Sequence, residues 1–511
     1  MNFVVLIQIL IFFSILFESS ATRQEKKQRI AIIGGGFVYL FLVFLLMNDY
    51  SAKLGIGAAF LQIQLRSTFG ENAEISVFEK QNRLGGRCMS FQYEGKSYEL
   101  GKQRFTDYDK LFLDYVKAVN MTISKSSSTT LGIYNEQEYI FLLNSFFLLR
   151  PITFLLNFPV SSPSYMFQYN SNWEKINKIY DQLDQNQYYN FRQLLQDCNI
   201  DEMLDYAFDE YVQSDSFYLT RKSFTNSFLR SINVLVLDQI ENINALAGFQ
   251  SQFTGSGQIS SLKEGLEQFV NKLFNIQLDS KSQIKINLNT EVKFIEKLHP
   301  INDSDHQFRL HFNDTFEDYD QVVIAFPLEQ NENPNQFFKN FTESQSMFQQ
   351  NLKSGYYSSY VITYVRALDP LYSYFGFNIT DNYPELMVPY DQNKSEFYKI
   401  LKVCSKCFQD RTSLFQITSK QKLNQTQIYK IFGESSKIIK EKEWEALLPN
   451  VKNYETNEIA DYQLLNGLYY LHSAEQAVPF LAFEAISARI VSNLMNPTFQ
   501  NKKNQQQTSD L

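Results

Sequence analysis

Along this chain, short apolar runs end in glycine or in an acid, and longer ones repeat at helical spacing. Arg29-Ile-Ala-Ile-Ile is β-branched and delivered into Gly34-Gly35-Gly36, the pattern of a buried parallel strand ending in a tight turn. Ala73 to Glu79 reads as a second strand, with Ile75 and Val77 alternating and Glu79 at its end. Leu262, Leu266, Phe269 and Leu273 follow a turn at Gly255 and Gly257 at spacings that give a helix one apolar face. Near the end, Leu468 to Leu471 reads as a strand, Ser473 to Gln476 as a short turn, and the residues beyond as a helix.

Between the first strand and the second, the register is broken. An acidic residue about 20 positions past the glycine turn is what a dinucleotide-binding βαβ unit places on the ribose. Glu79 lies far too late when measured from Gly34 or Gly36, and in the right place when measured from Gly57. Removing Phe37 to Gly55 joins strand, Gly34-x-Gly36-x-x-Ala58, an amphipathic helix, second strand and acid in one frame. The glycines would then make the turn and admit the pyrophosphate, Ala58 would pack helix on strand, and the helix N-terminus would face the phosphates. The fold class expected is α/β, with a Rossmann-like lobe, a mixed-sheet substrate lobe and helical insertions.

The nineteen extra residues have three readings. Ile30 to Met47 is eighteen residues without a charge, close to the roughly 20 needed to span a bilayer, but Lys26, Lys27 and Arg29 would then sit outside, against the positive-inside tendency. A loop insertion would expose the apolar run Phe37 to Met47. A retained intron would account for the residues typical of A/T-rich codons, and its removal at Gly36 and Gly55 would restore one glycine codon in frame.

Length and charge narrow the function. A chain of 511 residues with 44% hydrophobic content can bury cores for two or three lobes, since single cores stop growing near roughly 250–300 residues. The net charge of −8 and pI near 5.3 give no footprint for nucleic acid. Phe3 to Phe17 followed by Ser19 and Ala21 reads as an export signal. Seven glycosylation triplets, at Asn120, Asn302, Asn313, Asn340, Asn378, Asn393 and Asn424, accord with entry into the secretory pathway and with N-glycans. Four His and four Cys are too dispersed for an obvious metal site. Cys404-x-x-Cys407 alone has ligand-like spacing and reads as a local disulfide or two plain thiols.

The most specific stretch follows Glu79. Glu-Lys and then Leu-Gly85-Gly86-Arg87 combines glycines that permit close backbone approach with fixed guanidinium donors, and Ser-Tyr-Glu99-Leu-Gly101 supplies the next turn. With these residues the chain resembles the flavin-dependent amine-oxidase-like superfamily, and within it the prenylcysteine oxidase family. The resemblance implies FAD, with Gly34, Gly36, Gly57 and Ala58 around the pyrophosphate, Glu79 on the ribose, and Gly85, Gly86, Arg87, Glu99 and Gly101 flanking the cofactor. Glu291 to Leu298 is similar to the family's adenine-side strand, placing Val292 near the adenine, and Ala325 to Pro327 would close the nucleotide lobe. Ser473 to Gln476, including Glu475, would lie at the helix terminus facing the flavin ring. Asn242 and Asn244 are candidates on the middle-lobe helix pair.

On this resemblance the chain divides into a signal peptide (1–21), FAD-binding parts at 28–110 (with 37–55 as the insertion) and 251–330, and a C-terminal FAD-binding strand and helix (456–496). A helical and substrate lobe (111–250), a second substrate segment (331–455) and a polar tail (497–511) complete it. The implied reaction oxidises the thioether carbon of farnesyl- or geranylgeranyl-cysteine: hydride passes to flavin, water traps the carbon, and the hemithioacetal collapses to an aldehyde and cysteine. Molecular oxygen then reoxidises the flavin and gives hydrogen peroxide. No acid–base triad is visible, and the catalytic residues are unassigned. Glu138 to Val160 is a candidate lining for an isoprenoid tunnel or for a peripheral membrane contact, or else buried helices of the second lobe. The implied location is the secretory pathway, at the lysosome or vacuole. Alternatives are an amine or polyamine oxidase on the same frame, or a non-enzymatic glycosylated membrane protein spanning at Ile30 to Met47. Protein made without Phe37 to Gly55 is expected to purify yellow and the full chain colourless; equal flavin absorbance in the two would overturn the reading of the insert.

Overall fold

The computed structural model describes residues 27–34, 55–101, 105–125, 130–135, 139–143, 156, 158–159, 161–214, 224–239, 243–256, 260–278, 284–298, 307–328, 337–342, 357–375, 383–391, 394–451, 459–496 and 499. Gly36, Asn242 and nearly all of the insertion lie outside them.

A six-stranded sheet forms the first lobe. Its strands are β1 (Gln28–Gly34), β2 (Ala73–Glu79), β3 (Ile284–Asn287), β4 (Gln321–Ile324), β5 (Gln463–Leu465) and β6 (Leu468–Tyr470), in the spatial order β5-β6-β4-β1-β2-β3. All neighbours are parallel except β5 and β6. The apolar run of β1 is continuous because both its faces are covered: Ile30 and Ile32 enter the core on one side, Ala31 and Ile33 the core on the other. Residues 30–34 are therefore the centre of a sheet and not the start of a membrane helix, which corrects the spanning alternative. Among the described residues no helix is long and apolar enough to cross a membrane.

Helix α1 (Ile56–Phe69) returns from β1 to β2. It is less amphipathic than its sequence implies, with Ile56 through Gln62 all buried together with Leu65 and Arg66. The polar members of that set have partners: Gln62 Nε2 donates to the Leu273 carbonyl at 2.9 Å, and Arg66 to that of Ile276 at 3.1 Å. Helix α2 (Leu266–Phe274) does carry Leu266, Phe269 and Leu273 on its buried side, but Leu262 belongs to the strand Ser260–Leu262. The helix starts later than the glycine turn implied because Gly265, at φ +91°, turns the chain after that strand. Helix α3 (Leu481–Met495) is buried on almost every residue and packs against α1.

The second lobe is a seven-stranded mixed sheet in the order Lys437–Pro449, Tyr357–Ala367, Ser413–Ser419, Lys399–Cys404, Leu386–Pro389, Leu131–Tyr134 and Tyr139–Leu143. Tyr139–Leu143 is its edge strand, where the tunnel-lining stretch was expected to be helical if not a lining; residues 144–155 lie outside the described set. Cys404 and Cys407 form a disulfide. Helices Ser161–Gln182, Phe208–Ser214, Arg230–Leu237 and Ala245–Ser256 make up the helical part.

The hairpin Ser90–Tyr93 and Lys96–Glu99 links the lobes. Glu99 caps α2: its Oε1 accepts from the Leu266 backbone N–H and its Oε2 from the Ser90 hydroxyl, both at 2.7 Å. Its backbone carbonyl accepts from Tyr364 of the second sheet, also at 2.7 Å. Burial outweighs these bonds and pushes the Glu99 carboxyl up to about 7 from 4.5. The folded chain thus holds this proton to a higher pH than the unfolded one, so the group's contribution to stability is full below about 4.5 and is lost as pH rises through about 7. Glu99→Gln, which keeps both bonding partners, is expected to flatten the pH dependence of the melting temperature across that window; an unchanged profile would refute the assignment.

Candidate functional site

The parallel register pairs Gly34 with Glu79, so the last residue of β1 and the acid of β2 stand side by side at the carboxyl ends of adjacent strands. Ligands of open α/β sheets bind at that edge. Glu79 is fully buried, and one of its oxygens accepts the Gln81 backbone N–H at 2.8 Å. Gly55, in extended conformation, is the N-cap of α1, and the first turn of that helix carries no acid of its own, so its N–H groups and positive end are of the kind that suits an anion, with the Glu484 carboxylate of α3 lying beside Gly57. Ala58 is buried against the core as the tight helix packing requires. A Cβ on Gly57 would stand 2.6 Å from Glu484 Oε2 and 3.1 Å from Leu471 Cδ2, so this glycine admits the C-terminal segment against α1. Val292 is buried in the core beneath Ile33 and Phe78. Ala325 donates its N–H to the Ile33 carbonyl at 2.8 Å, locking β4 beside the end of β1. This donor set fits a dinucleotide: N–H groups for the diphosphate and a carboxylate for the ribose.

Gly85 and Gly86 have φ of +109° and +55°, a turn that L side chains rarely adopt. Arg83 donates to the Gly86 carbonyl at 2.7 Å and fixes the turn from inside. The turn aims Arg87 at Glu475, Nη2 to Oε2 at 2.5 Å, and Arg87 stacks over the Tyr357 ring at 5.5 Å. Two residues singled out separately in the sequence, Arg87 and Glu475, are therefore partners. His472 Nδ1 lies 2.5 Å from the same Glu475 oxygen and 3.9 Å from Glu484 Oε2. His472 and Glu484 were not singled out, because helical or turn spacing in a buried segment reads as core. Burial opposes the charge on Arg87 and on His472, but Glu475 and Glu484 outweigh it and hold both cations above their usual pKa. Two basic side chains and two acidic ones thus meet in one cluster.

Two expected contacts are placed differently. The Glu99 carboxylate serves as the cap of α2, which corrects its expected role beside the cofactor. Gly101 is the site of a close approach: a Cβ there would lie 1.7 Å from the Arg87 carbonyl oxygen. Asn244 is fully buried, caps the helix Ala245–Ser256 by accepting from Ala247 at 2.8 Å, and donates to the Ala477 carbonyl at 3.0 Å. It ties the helical part to the turn that carries Glu475.

Between the lobes lies a cavity of about 70 Å³ that begins at Gly101 and at Pro479 to Leu481, the start of α3. Its far walls are Ile362 and Thr418 of the second sheet and Leu235 to Asp238 at the end of a helix. A larger groove of about 730 Å³, with Arg230, Asp391, Lys394 and Glu396 on its walls, is lined only by second-lobe residues and meets no part of the nucleotide corner. The smaller cavity joins both lobes.

Replacing Arg87 with Met would leave Glu475 and Glu484 buried without their main counter-charge, and is expected to cost about 3–5 kcal/mol of stability. Denaturation of Arg87→Met and of Arg87→Met with Glu475→Gln checks this: the second change should restore part of the loss, and strict additivity would contradict the pairing.

Comparison with known proteins agrees with this geometry. A family model described as an NAD(P)-binding Rossmann-like domain matches residues 55–119, beginning at the last residue of the insertion. Prenylcysteine oxidase 1 of Homo sapiens is 24% identical over 449 residues, covering 85% of this chain and 86% of its own. Among solved structures, the CLA-producing fatty acid isomerase of P. acnes superposes with a TM-score of 0.60 at 14% identity, over 92% of this chain and 98% of that one. Cyclohexylamine oxidase from Brevibacterium oxydans IH-35A gives 0.55 at 11% identity, over 93% and 100%. A model described as prenylcysteine lyase matches residues 164–508, well over half of the 511. The chain belongs to the prenylcysteine lyase family and is an oxidoreductase.

Proposed function

We propose that the protein is an FAD-dependent oxidase that cleaves S-prenylcysteine to a prenyl aldehyde and cysteine. The observation that carries the reading is the pairing of Gly34 with Glu79 beside the α1 N-terminus. FAD, when bound, would supply the two-electron acceptor and deliver those electrons to oxygen. The chain's own part is to hold the diphosphate at the first turn of α1, hold the ribose at Glu79, and present an apolar wall to the substrate. Leu235, Leu237, Ile362, Leu447 and Phe480 line the inter-lobe cavity and supply that apolar surface. The allylic position of the thioether carbon stabilises the positive charge that develops as hydride leaves, so placement of that carbon is the main demand. Water then adds to it, the C–S bond breaks, and the thiol departs with a proton.

A lumenal location in the secretory pathway accords with Asn120, Asn313, Asn340 and Asn424, the glycosylation triplets among the described residues, all of which are exposed. Loaded protein incubated with S-farnesylcysteine in air is expected to release cysteine, farnesal and hydrogen peroxide in equal amounts. Ammonia with an intact thioether would point instead to amine oxidation, and failure of the protein to take up flavin both with and without Phe37 to Gly55 would end the proposal.

A further inference from the structure

The inter-lobe cavity is apolar except at one end. There the Lys399 ammonium lies 2.7 Å from Asp238 Oδ1, with only 8% and 10% of the two side chains exposed, and donates to the Leu235 carbonyl at 2.8 Å. Asp238 and Lys399 are the only charged residues in the lining. Neither stands there by the needs of its own element. Lys399 is the first residue of a strand whose neighbours Ile400 and Leu401 enter cores, and Asp238 stands just past a helix at φ +55°, a conformation that glycine or asparagine adopts more readily.

A buried ion pair adds little to stability, because removing both charges from water costs about as much as their attraction returns. A pair placed at the wall of an apolar cavity is, however, the complement of a zwitterion. An α-amino acid carries an ammonium and a carboxylate on adjacent carbons, and Asp238 and Lys399 offer one partner to each. At about 70 Å³ the cavity is on the scale of a small polar head group and not of an isoprenoid. We infer that Asp238 and Lys399 form the subsite that recognises the amino-acid head of the substrate, Asp238 taking the α-ammonium and Lys399 the α-carboxylate. This rests on the reading of the substrate as a prenylated cysteine. With the head held here, the thioether and the prenyl chain must leave the cavity, so the pair sets which carbon meets the cofactor.

The competing role for Lys399 is structural, as a cation satisfying the end of helix Arg230–Leu237 through the Leu235 carbonyl. The two roles separate on substrates that differ only in the head group. Flavin-loaded protein, with Phe37 to Gly55 removed where the full chain takes up none, and its Lys399→Met, Lys399→Arg and Asp238→Asn variants are assayed with S-farnesylcysteine, its N-acetyl derivative and its methyl ester, with calorimetric binding of each compound alongside. Wild type should favour the free zwitterion. Lys399→Met should raise KM for it by roughly 10–100-fold, the loss of one charged hydrogen bond, while leaving KM for the methyl ester nearly unchanged. Asp238→Asn should do the same relative to the N-acetyl compound, and Lys399→Arg should restore most of the preference. Losses of equal size on all three compounds would overturn the subsite while leaving the oxidase reading intact. Selective, variant-sensitive binding without turnover would leave the subsite standing and remove the oxidase reading.

Discussion

The parallel pairing of β1 with β2 and β4 is the constraint on which the rest depends. It is built from Ile30 to Ile33, a run that works only as the middle of a sheet with helices or further layers on both faces. Once the register is set, Gly34 and Glu79 end together, α1 begins above them, and Ala325 closes against Ile33. The nucleotide corner follows from that alignment rather than from any single glycine.

The second constraint is closeness. Gly57 admits Glu484 and Leu471, and Gly101 admits the Arg87 backbone, so the C-terminal helix, the glycine-arginine turn and the inter-lobe hairpin converge where any larger residue would hold them apart. The buried quartet of Arg87, His472, Glu475 and Glu484 joins the same pieces through charge. Hydrogen bonds from Tyr364 and Gln416 to the Glu99 carbonyl, and from Trp444 to that of Leu100, fasten the second sheet to this junction. Backbone groups at the seam are thus satisfied across lobes, and the cavity beside it carries no charged lining residue apart from Asp238 and Lys399.

Much of this was legible from residues because the nucleotide corner is local in sequence. Strand, glycine, small residue and acid carry their roles in their spacing, and the glycine pair before Arg87 declares a backbone that only glycine adopts freely. What was not legible is what depends on distant partners. Glu99 looked like a cofactor contact because it precedes Gly101, yet its carboxylate faces α2, which lies far along the chain. The start of α2 was misplaced because periodicity from Leu262 onward is equally compatible with a strand and a helix over so few residues. His472 and Glu484 sit in segments whose apolar pattern hides polar members, and nothing in the letters shows that Asp238 and Lys399 meet. Buried charge pairs between segments leave no periodic trace.

The chain order of these parts bears on how the molecule is made. β1 leaves the ribosome first, but its neighbour β4 comes some way past the middle, and α3, which roofs α1, is nearly the last piece synthesised. Until then the inner faces of the early segments lack their cover, so the nascent chain must be kept from aggregating during most of translation, and early termination yields a half-roofed lobe rather than a smaller working one. Completion of the corner that joins Gly34, Glu79 and α1 is therefore a late event in the life of this polypeptide, gated by arrival of its carboxyl end.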